Sequence, residues 1–267
     1  MELHYTFPSD KVNSLVVQYE HVSTSEYDTI FSDKHISSGY ASLVFNTYGA
    51  ATILDASSSI LPPYFMVVPL LKCVRIGVSV PFQSTIVTCK APVLSRLLNF
   101  NLNSEPLNHY RIIKNSRIES LNNTLKTATN TGQQVAIIED FIVNKLSIGT
   151  YKYDEIDHIY DSILNSKGSI PICDITNTYE KSPRSFRRRF VERVGVNAKV
   201  LARIARVNYL WNLIIKNKAI DFQDMVFEGG FYDQAHLIHD FKTIIGETPS
   251  VFFKRNLENT MLMSGKI

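Results

Sequence analysis

The apolar positions change period part-way along the chain. Up to about residue 100 they alternate, as in Leu15, Val17 and Tyr19, then Ala41, Leu43 and Phe45, and again Ile76, Val78 and Val80. Alternation predicts half-buried strands. The turn clusters Ser37-Ser38-Gly39, Tyr48-Gly49 and Ser57-Ser58-Ser59 divide them at short spacing, which favours an antiparallel sandwich or small barrel over a parallel sheet. A stretch rich in Asn and Ser, 99–108, marks the change. After it, 112–128 and 133–147 take helical spacing, with Val135, Ile138, Ile142 and Leu146 on one side. Such helices either cover a sheet or pair two subunits, and we expect them to fold on the sheet.

From about Tyr153 onward the pattern is helical throughout. Residues 154–165 predict one helix, with Ile156, Ile159, Tyr160 and Ile163 on one face, and Ile172, Ile175 and Tyr179 predict a short second one. Ser182 then stands as an N-cap with Pro183 at the first helical position, which fixes where the next helix begins. Two short helices joined by a tight turn fit a helix-turn-helix. Residues 197–216 predict a rod of about 30 Å. A second unit follows: Phe222, Met225 and Val226, a break at Gly229-Gly230, then a helix over 233–245 with Leu237, Phe241 and Ile244 inward. Thr248-Pro249 opens a last helix. Two such units on a rod of about 30 Å place their recognition helices near one DNA turn, about 34 Å, apart.

Charge changes this picture from a fold to a function. The 267 residues carry a net charge of +3, yet the window 181–218 holds eleven basic residues (Lys181, Arg184, Arg187, Arg188, Arg189, Arg193, Lys199, Arg203, Arg206, Lys216, Lys218) against the single acid Glu192. The rest of the chain is therefore net acidic. Clustered cations on an acidic body suit a polyphosphate, because counterion release rewards clustering. A content of 45% hydrophobic and 11% aromatic residues supplies cores for two domains. There is no basic, apolar leader. Pro62, Pro63, Pro69, Lys72 and Arg75 interrupt the most apolar region, 60–80, so no membrane span and a cytoplasmic location are expected. Cys73, Cys89 and Cys173 lack the spacing of a zinc module or disulfide framework.

At about 100° per residue, Phe186 and Phe190 share one narrow arc of the helix that starts at Ser182, and Arg184, Arg187 and Arg188 lie opposite. That is the face a recognition helix offers to guanine in a major groove. Arg189 and Arg193 flank the buried arc and suit phosphates or intramolecular carboxylates better than bases. A merely solvated arginine face is the bland reading of this helix taken alone.

The run Gly230-Phe231-Tyr232-Asp233-Gln234-Ala235-His236-Leu237, with Asp240-Phe241-Lys242, Gly246 and Thr248-Pro249-Ser250, resembles the signature of AraC/XylS-family transcriptional regulators. Upstream, 182–190 with Gly195 and Arg203-Ile204-Ala205-Arg206 looks like the family's first recognition helix and linker helix. The resemblance spans about 153–254. It implies sequence-specific binding to double-stranded promoter DNA, activation through RNA polymerase, and an amino-terminal domain for a small-molecule effector or for self-association as a homodimer. Its base-reading places fall on Arg184, Arg187 and Arg188, and on Gln234, Ala235 and His239. Ser182, Ser185, Arg189, Arg206 and His236 complete the candidate DNA-binding set, with Arg206 assigned either to phosphate or to domain packing. Thr176 and Val226 replace the usual small residue of each motif, Glu180 and Lys181 depart at the first turn, and His239 takes a place often held by Arg. Six acids against Lys242 between Asp221 and Glu247 predict that the first motif carries most of the affinity.

The expected fold is α+β. A β-rich barrel or sandwich with covering helices occupies 1–150, an all-α domain of two helix-turn-helix motifs joined by a long helix occupies 151–258, and 259–267 is a tail. Other chemistry finds little support. His236 and His239 lie one turn apart without a third metal ligand, and Cys73 and Cys89 lack the zinc-ligand spacing of an alkyl-accepting thiolate. No GxxxxGK[ST] or GxSxG is present. No catalysis, cofactor or metal is expected. The rivals are a nucleic-acid binder without sequence preference and an amino-terminal barrel enzyme.

Overall fold

Two antiparallel sheets form the first half of the chain in the computed structural model, which describes residues 2–28, 31–54, 58–103, 110–111, 113, 115–176, 179–180, 182–216, 222–254 and 257–264. Strands β1 (Glu2–Thr6), β2 (Val16–Thr24), β3 (Phe31–His35), β4 (Ala41–Tyr48), β5 (Ala51–Ile53), β6 (Ser59–Ile60), β7 (Tyr64–Val67), β8 (Val74–Val78) and β9 (Phe82–Cys89) precede helix α1 (Ala91–Leu97) and the short β10 (Tyr110–Arg111). The larger sheet has the order β1-β2-β9-β4-β7-β10 and the smaller β3-β8-β5-β6. This is the sandwich that the short turn spacing suggested.

The inner strands of the large sheet are not half-buried as expected. On β4, Ala41, Leu43 and Phe45 face one way, yet Val44 and Asn46 on the other face are also buried. One face of the large sheet packs on α1, α2 (Ser116–Leu125) and α3 (Thr131–Asp140), joining Leu43, Phe45 and Val87 to Ile118, Leu121 and Ile138 in one core. The opposite face meets the small sheet through Val44, Phe65, Phe82, Ala51 and Val78. Ser42, Asn46, Ser84 and Thr88, the polar members of the alternation, therefore line a space between sheets. On β2 the register slips between Val16 and Gln18, so Val16 enters the core beside Tyr19 while Val17 is left half-buried. Val80 falls beyond β8, and Ser59 opens β6 instead of a turn; Ser57 lies outside the described residues.

Helix α2 starts four residues later than the spacing suggested. Tyr110 and Arg111 pair with β7, and Asn115 supplies the N-cap by accepting from the Arg117 and Ile118 N–H groups. Helix α3 is followed by a π-helical turn, Phe141–Lys145.

The second half comprises α4 (Glu155–Asn165), α5 (Ile172–Thr176), α6 (Pro183–Val194), α7 (Ala198–Lys216), α8 (Phe222–Glu228), α9 (Gln234–Ile245), α10 (Pro249–Phe252) and α11 (Glu258–Met263). It leans on the sandwich in two places. Ile156, Tyr160, Phe186, Phe190 and Leu201 extend the core of the large sheet and its helices, and the Tyr160 hydroxyl donates to the Gly39 carbonyl at 2.8 Å. Further on, Trp211, Leu237, Phe241 and Phe252 build a second core that takes in Ile36 from just after β3. The Cys73 N–H donates to the Ile244 carbonyl at 2.8 Å, and Lys34 Nζ reaches Glu247 at 2.6 Å. The segment expected as a tail begins in α11, where the Thr260 hydroxyl donates to Asp33 at 2.7 Å and Ser264 Oγ accepts from the Ile36 N–H at 3.0 Å. No helix among the described residues is long and apolar enough to cross a membrane.

Candidate nucleic-acid interface

Helix α6 is fixed at both ends by its own sequence. Ser182 Oγ accepts from the Ser185 N–H at 3.3 Å, Pro183 fills the first position, and Gly195 closes the helix at φ 89°, a conformation that glycine adopts without a Cβ penalty. Phe186 and Phe190 are buried and stack in series, Tyr179 to Phe186 at 5.2 Å and Phe186 to Phe190 at 5.3 Å. With that arc buried, Arg184, Arg187 and Arg188 are exposed, as is Ser182, while Ser185 and Arg189 are half-buried. Arg188 lies 3.7 Å from Glu192 one turn along, an exposed pair that is weak in water.

Four other cations of the basic window, Arg189, Arg193, Arg203 and Arg206, are internally engaged. Arg189 approaches the Tyr179 hydroxyl at 3.4 Å and Asp154 at 3.9 Å, so the carboxylate reading fits it. Arg193 is buried; it donates to the Pro92 carbonyl at 3.0 Å, to Asp154 at 2.9 Å and to Asp157 at 2.7 Å. Burial pushes the Asp154 carboxyl up, but Arg193 and then Arg96 outweigh it and hold the group below the usual range. At Asp157, on the buried side, desolvation wins over Arg193 and the carboxyl is raised. Tyr151 donates to Asp157 at 2.8 Å, and its phenol is raised by burial and by that acid. This network ties α6 to α4 and to α1.

Helix α9 presents a second outward face. Asp233 Oδ1 caps it by accepting from the His236 N–H at 2.7 Å, and Gly246 ends it at φ 86°. Leu237, Phe241 and Ile244 are buried, leaving Gln234, Ala235, His239 and Lys242 exposed. Two of the candidate residues are instead held in packing. His236 Nδ1 accepts from the Tyr232 N–H at 3.3 Å, Nε2 lies 3.4 Å from Asp240, and the ring stands edge-on to Phe231 at 5.5 Å. Arg206 donates to the Gly168 carbonyl at 2.8 Å, meets Asp240 at 3.4 Å and sits over the Phe231 ring at 5.7 Å. These contacts with protein atoms favour packing, one of the two roles expected of it. Arg203 completes the cluster with a 2.8 Å bond to Asp240.

Asp240, the centre of that cluster, was not singled out in the sequence. The signal was there: it falls three residues after Leu237 and beside Phe241 on the inward arc, where a carboxylate requires cations. The charge counts also misled. Asp233, Asp240 and Glu247 are occupied by a cap, by Arg203 and Arg206, and by Lys34, so half of the six acids of the second unit are internally neutralised or bonded and none stands on the α9 face. Lys181, Lys218 and Asp221 lie outside the described residues.

A helix-turn-helix domain profile matches residues 175–255, which run from the end of α5 through α10 and include both outward faces. The chain carries an AraC-type helix-turn-helix domain over that segment. It is a DNA-binding transcriptional regulator. Among solved structures, the chain is similar to ToxT from Vibrio cholerae, at 14% identity and a TM-score of 0.46 over 89% of this chain and 97% of that one. It is similar to ToxT bound to (E)-4-(8-methylnaphthalen-1-yl)but-3-enoic acid, at 14% identity and a TM-score of 0.46 over 98% and 100%. It is also similar to the AraC-like transcriptional activator CuxR, at 10% identity and a TM-score of 0.31 over 90% and 80%. No curated protein matches the chain.

Proposed function

We propose that this regulator reads a promoter through two successive major-groove segments, with α6 as the principal base reader. Arg184, Arg187 and Arg188 take the bases, and the backbone near Ser182 and Ser185 approaches phosphate at the helix N-terminus. On α9, Gln234, Ala235 and His239 form the second reading face, and His236 shapes its first turn. The observation that carries this reading is the exposure of three arginines on a helix whose opposite arc is fixed by Phe186 and Phe190. In the same reading the protein activates transcription through RNA polymerase, and the sandwich senses a small effector or joins two copies.

Selection of duplexes from a random pool by the full-length protein at near-physiological salt tests it. Two submotifs about a turn apart are expected. Enrichment of only one leaves α9 as scaffold, and binding without enrichment favours a nonspecific nucleic-acid protein. On the selected site, Arg188→Ala should cost about 1–3 kcal/mol and relax one base position. Equal losses on the selected and random duplexes would remove Arg188 from base reading.

A further inference from the structure

The space between the two sheets is walled by Val22, Val44, Phe65, Ile76 and Ile86, and measures about 100 Å³. Its lining is mixed, with His35, Ser38, Ser42, Ser84, Thr88 and Ser264 beside the apolar walls, and two further polar groups bear on what it can hold. Asn46, 3% exposed, has both amide atoms, Nδ2 and Oδ1, without a hydrogen-bond partner among the described residues. Glu20, 7% exposed, receives the Thr88 hydroxyl at 2.8 Å and the Gln18 amide at 3.1 Å, both at Oε1, and no donor among the described residues meets Oε2. A buried amide with nothing to bond is costly and rare, and a cavity between sheets is where a sandwich can accept a small molecule.

We propose that this space is a binding site for a small uncharged or cationic molecule with an apolar body and a hydrogen-bond donor, and that carboxylates are excluded. The proposal rests on the reading of the sandwich as a sensing domain and names its ligand class. The space is smaller than the apolar cavity of about 150 Å³ that accommodates benzene, so one aromatic ring is the upper limit of the body and enters only as the walls give. The register sets where its polar group goes. Glu20 pairs with Ile86, which pairs with Val44, while Asn46 pairs with Ser84. The two groups thus lie two strands apart on a diagonal, about 10 Å or more, and one small head meets Glu20 or Asn46 but not both. At Glu20 a donor completes Oε2, whereas a second carboxylate places like charges in a poorly hydrated space. At Asn46 an uncharged hydroxyl or amide can satisfy either atom.

Benzylamine, benzyl alcohol and benzoate share one body and differ in the head, so their binding to the full-length protein, followed by ligand-observed NMR, tests the class. Benzylamine and benzyl alcohol should bind, and benzoate at least about tenfold more weakly than benzylamine. Glu20→Gln should bring the amine-to-benzoate ratio within about threefold. Asn46→Leu should weaken benzyl alcohol and raise the melting temperature, because it removes two unsatisfied polar atoms. Benzoate binding as tightly as benzylamine overturns the ligand class and leaves the sensing reading standing. Failure of all three at millimolar concentration, with Asn46→Leu melting no higher than the parent, overturns the site and the sensing reading together, and leaves the DNA-binding reading untouched.

Discussion

His21 shows how one buried polar residue makes the sandwich acid-sensitive. It lies on β2 between His4 and Thr85 in register, 5% exposed, with Nδ1 3.4 Å from the Thr85 hydroxyl and Nε2 unpartnered. Burial lowers its pKa, only partly offset by the nearby Gln134 side chain, and His4 adds to the lowering. A histidine whose folded pKa is depressed binds fewer protons folded than unfolded below about pH 6.5, so its contribution is present above that value and is lost as pH falls. Urea midpoints at pH 7.5 and 5.5 should therefore differ more for the parent than for His21→Gln; an equal drop in both would assign the acid sensitivity elsewhere. Asp240 is the opposite case, an acid whose value lies in the cations around it. Asp240→Ala leaves Arg203 and Arg206 facing one another in a mostly buried cluster, and should cost about 3 kcal/mol of stability. Arg206→Ala should likewise lower the melting temperature while leaving the slope of DNA affinity against salt unchanged. A shallower slope with unchanged folding would restore its phosphate role.

At the level of elements, legibility followed the source of each element's stability. Helix α6 could be read from the chain because its determinants are local: Ser182 and Pro183 at the start, Gly195 at the end, Phe186 and Phe190 one turn apart. Ser182→Ala should accordingly lower stability by about 1 kcal/mol, measured by urea unfolding, with little effect if backbone groups alone hold the first turn. The α9 face was legible for the same reason, since Asp233 and Gly246 bound it. Strand burial was not, because alternation reports polarity and does not say what lies beyond the polar face. Ser42, Asn46 and Ser84 look like a solvent face in sequence and line an internal space in the structure. The β2 bulge and the pairing of Tyr110–Arg111 with β7 are tertiary events that no local period encodes. Charge density was legible as a count and misleading as a surface, since Arg193, Arg203 and Arg206 point to carboxylates far away in sequence.

At the scale of the whole molecule, two devices compete to set the distance between α6 and α9, the proposed recognition helices. One is the rod: α7, about 28 Å long, holds α9 through the Arg203–Asp240 and Arg206–Asp240 pairs. The other is the sandwich, which grips both units. It takes α6 through the bonds from Arg193 to the Pro92 carbonyl and from the Leu102 N–H to the Glu192 carbonyl. It takes the end of α9 through the bonds from Lys34 to the Ile245 carbonyl and Glu247. Ser264 joins this second grip to the inter-sheet space, since it lines that space, accepts from the Ile36 N–H and donates to the Lys34 carbonyl at 3.4 Å. If the sandwich sets the spacing, Lys34→Ala combined with Ser264→Ala should broaden the separation of the two submotifs in selected duplexes by about one base pair either way. It should also speed amide exchange around Ile244 and Ile245, while the α6 submotif keeps its sequence. Faster exchange with an unchanged separation would give the spacing to α7 and Asp240 alone, and would leave the grip on α9 without a part in DNA reading. The comparison discriminates because the double variant touches neither outward face, so any change in spacing comes from how the units are held and not from which bases they read.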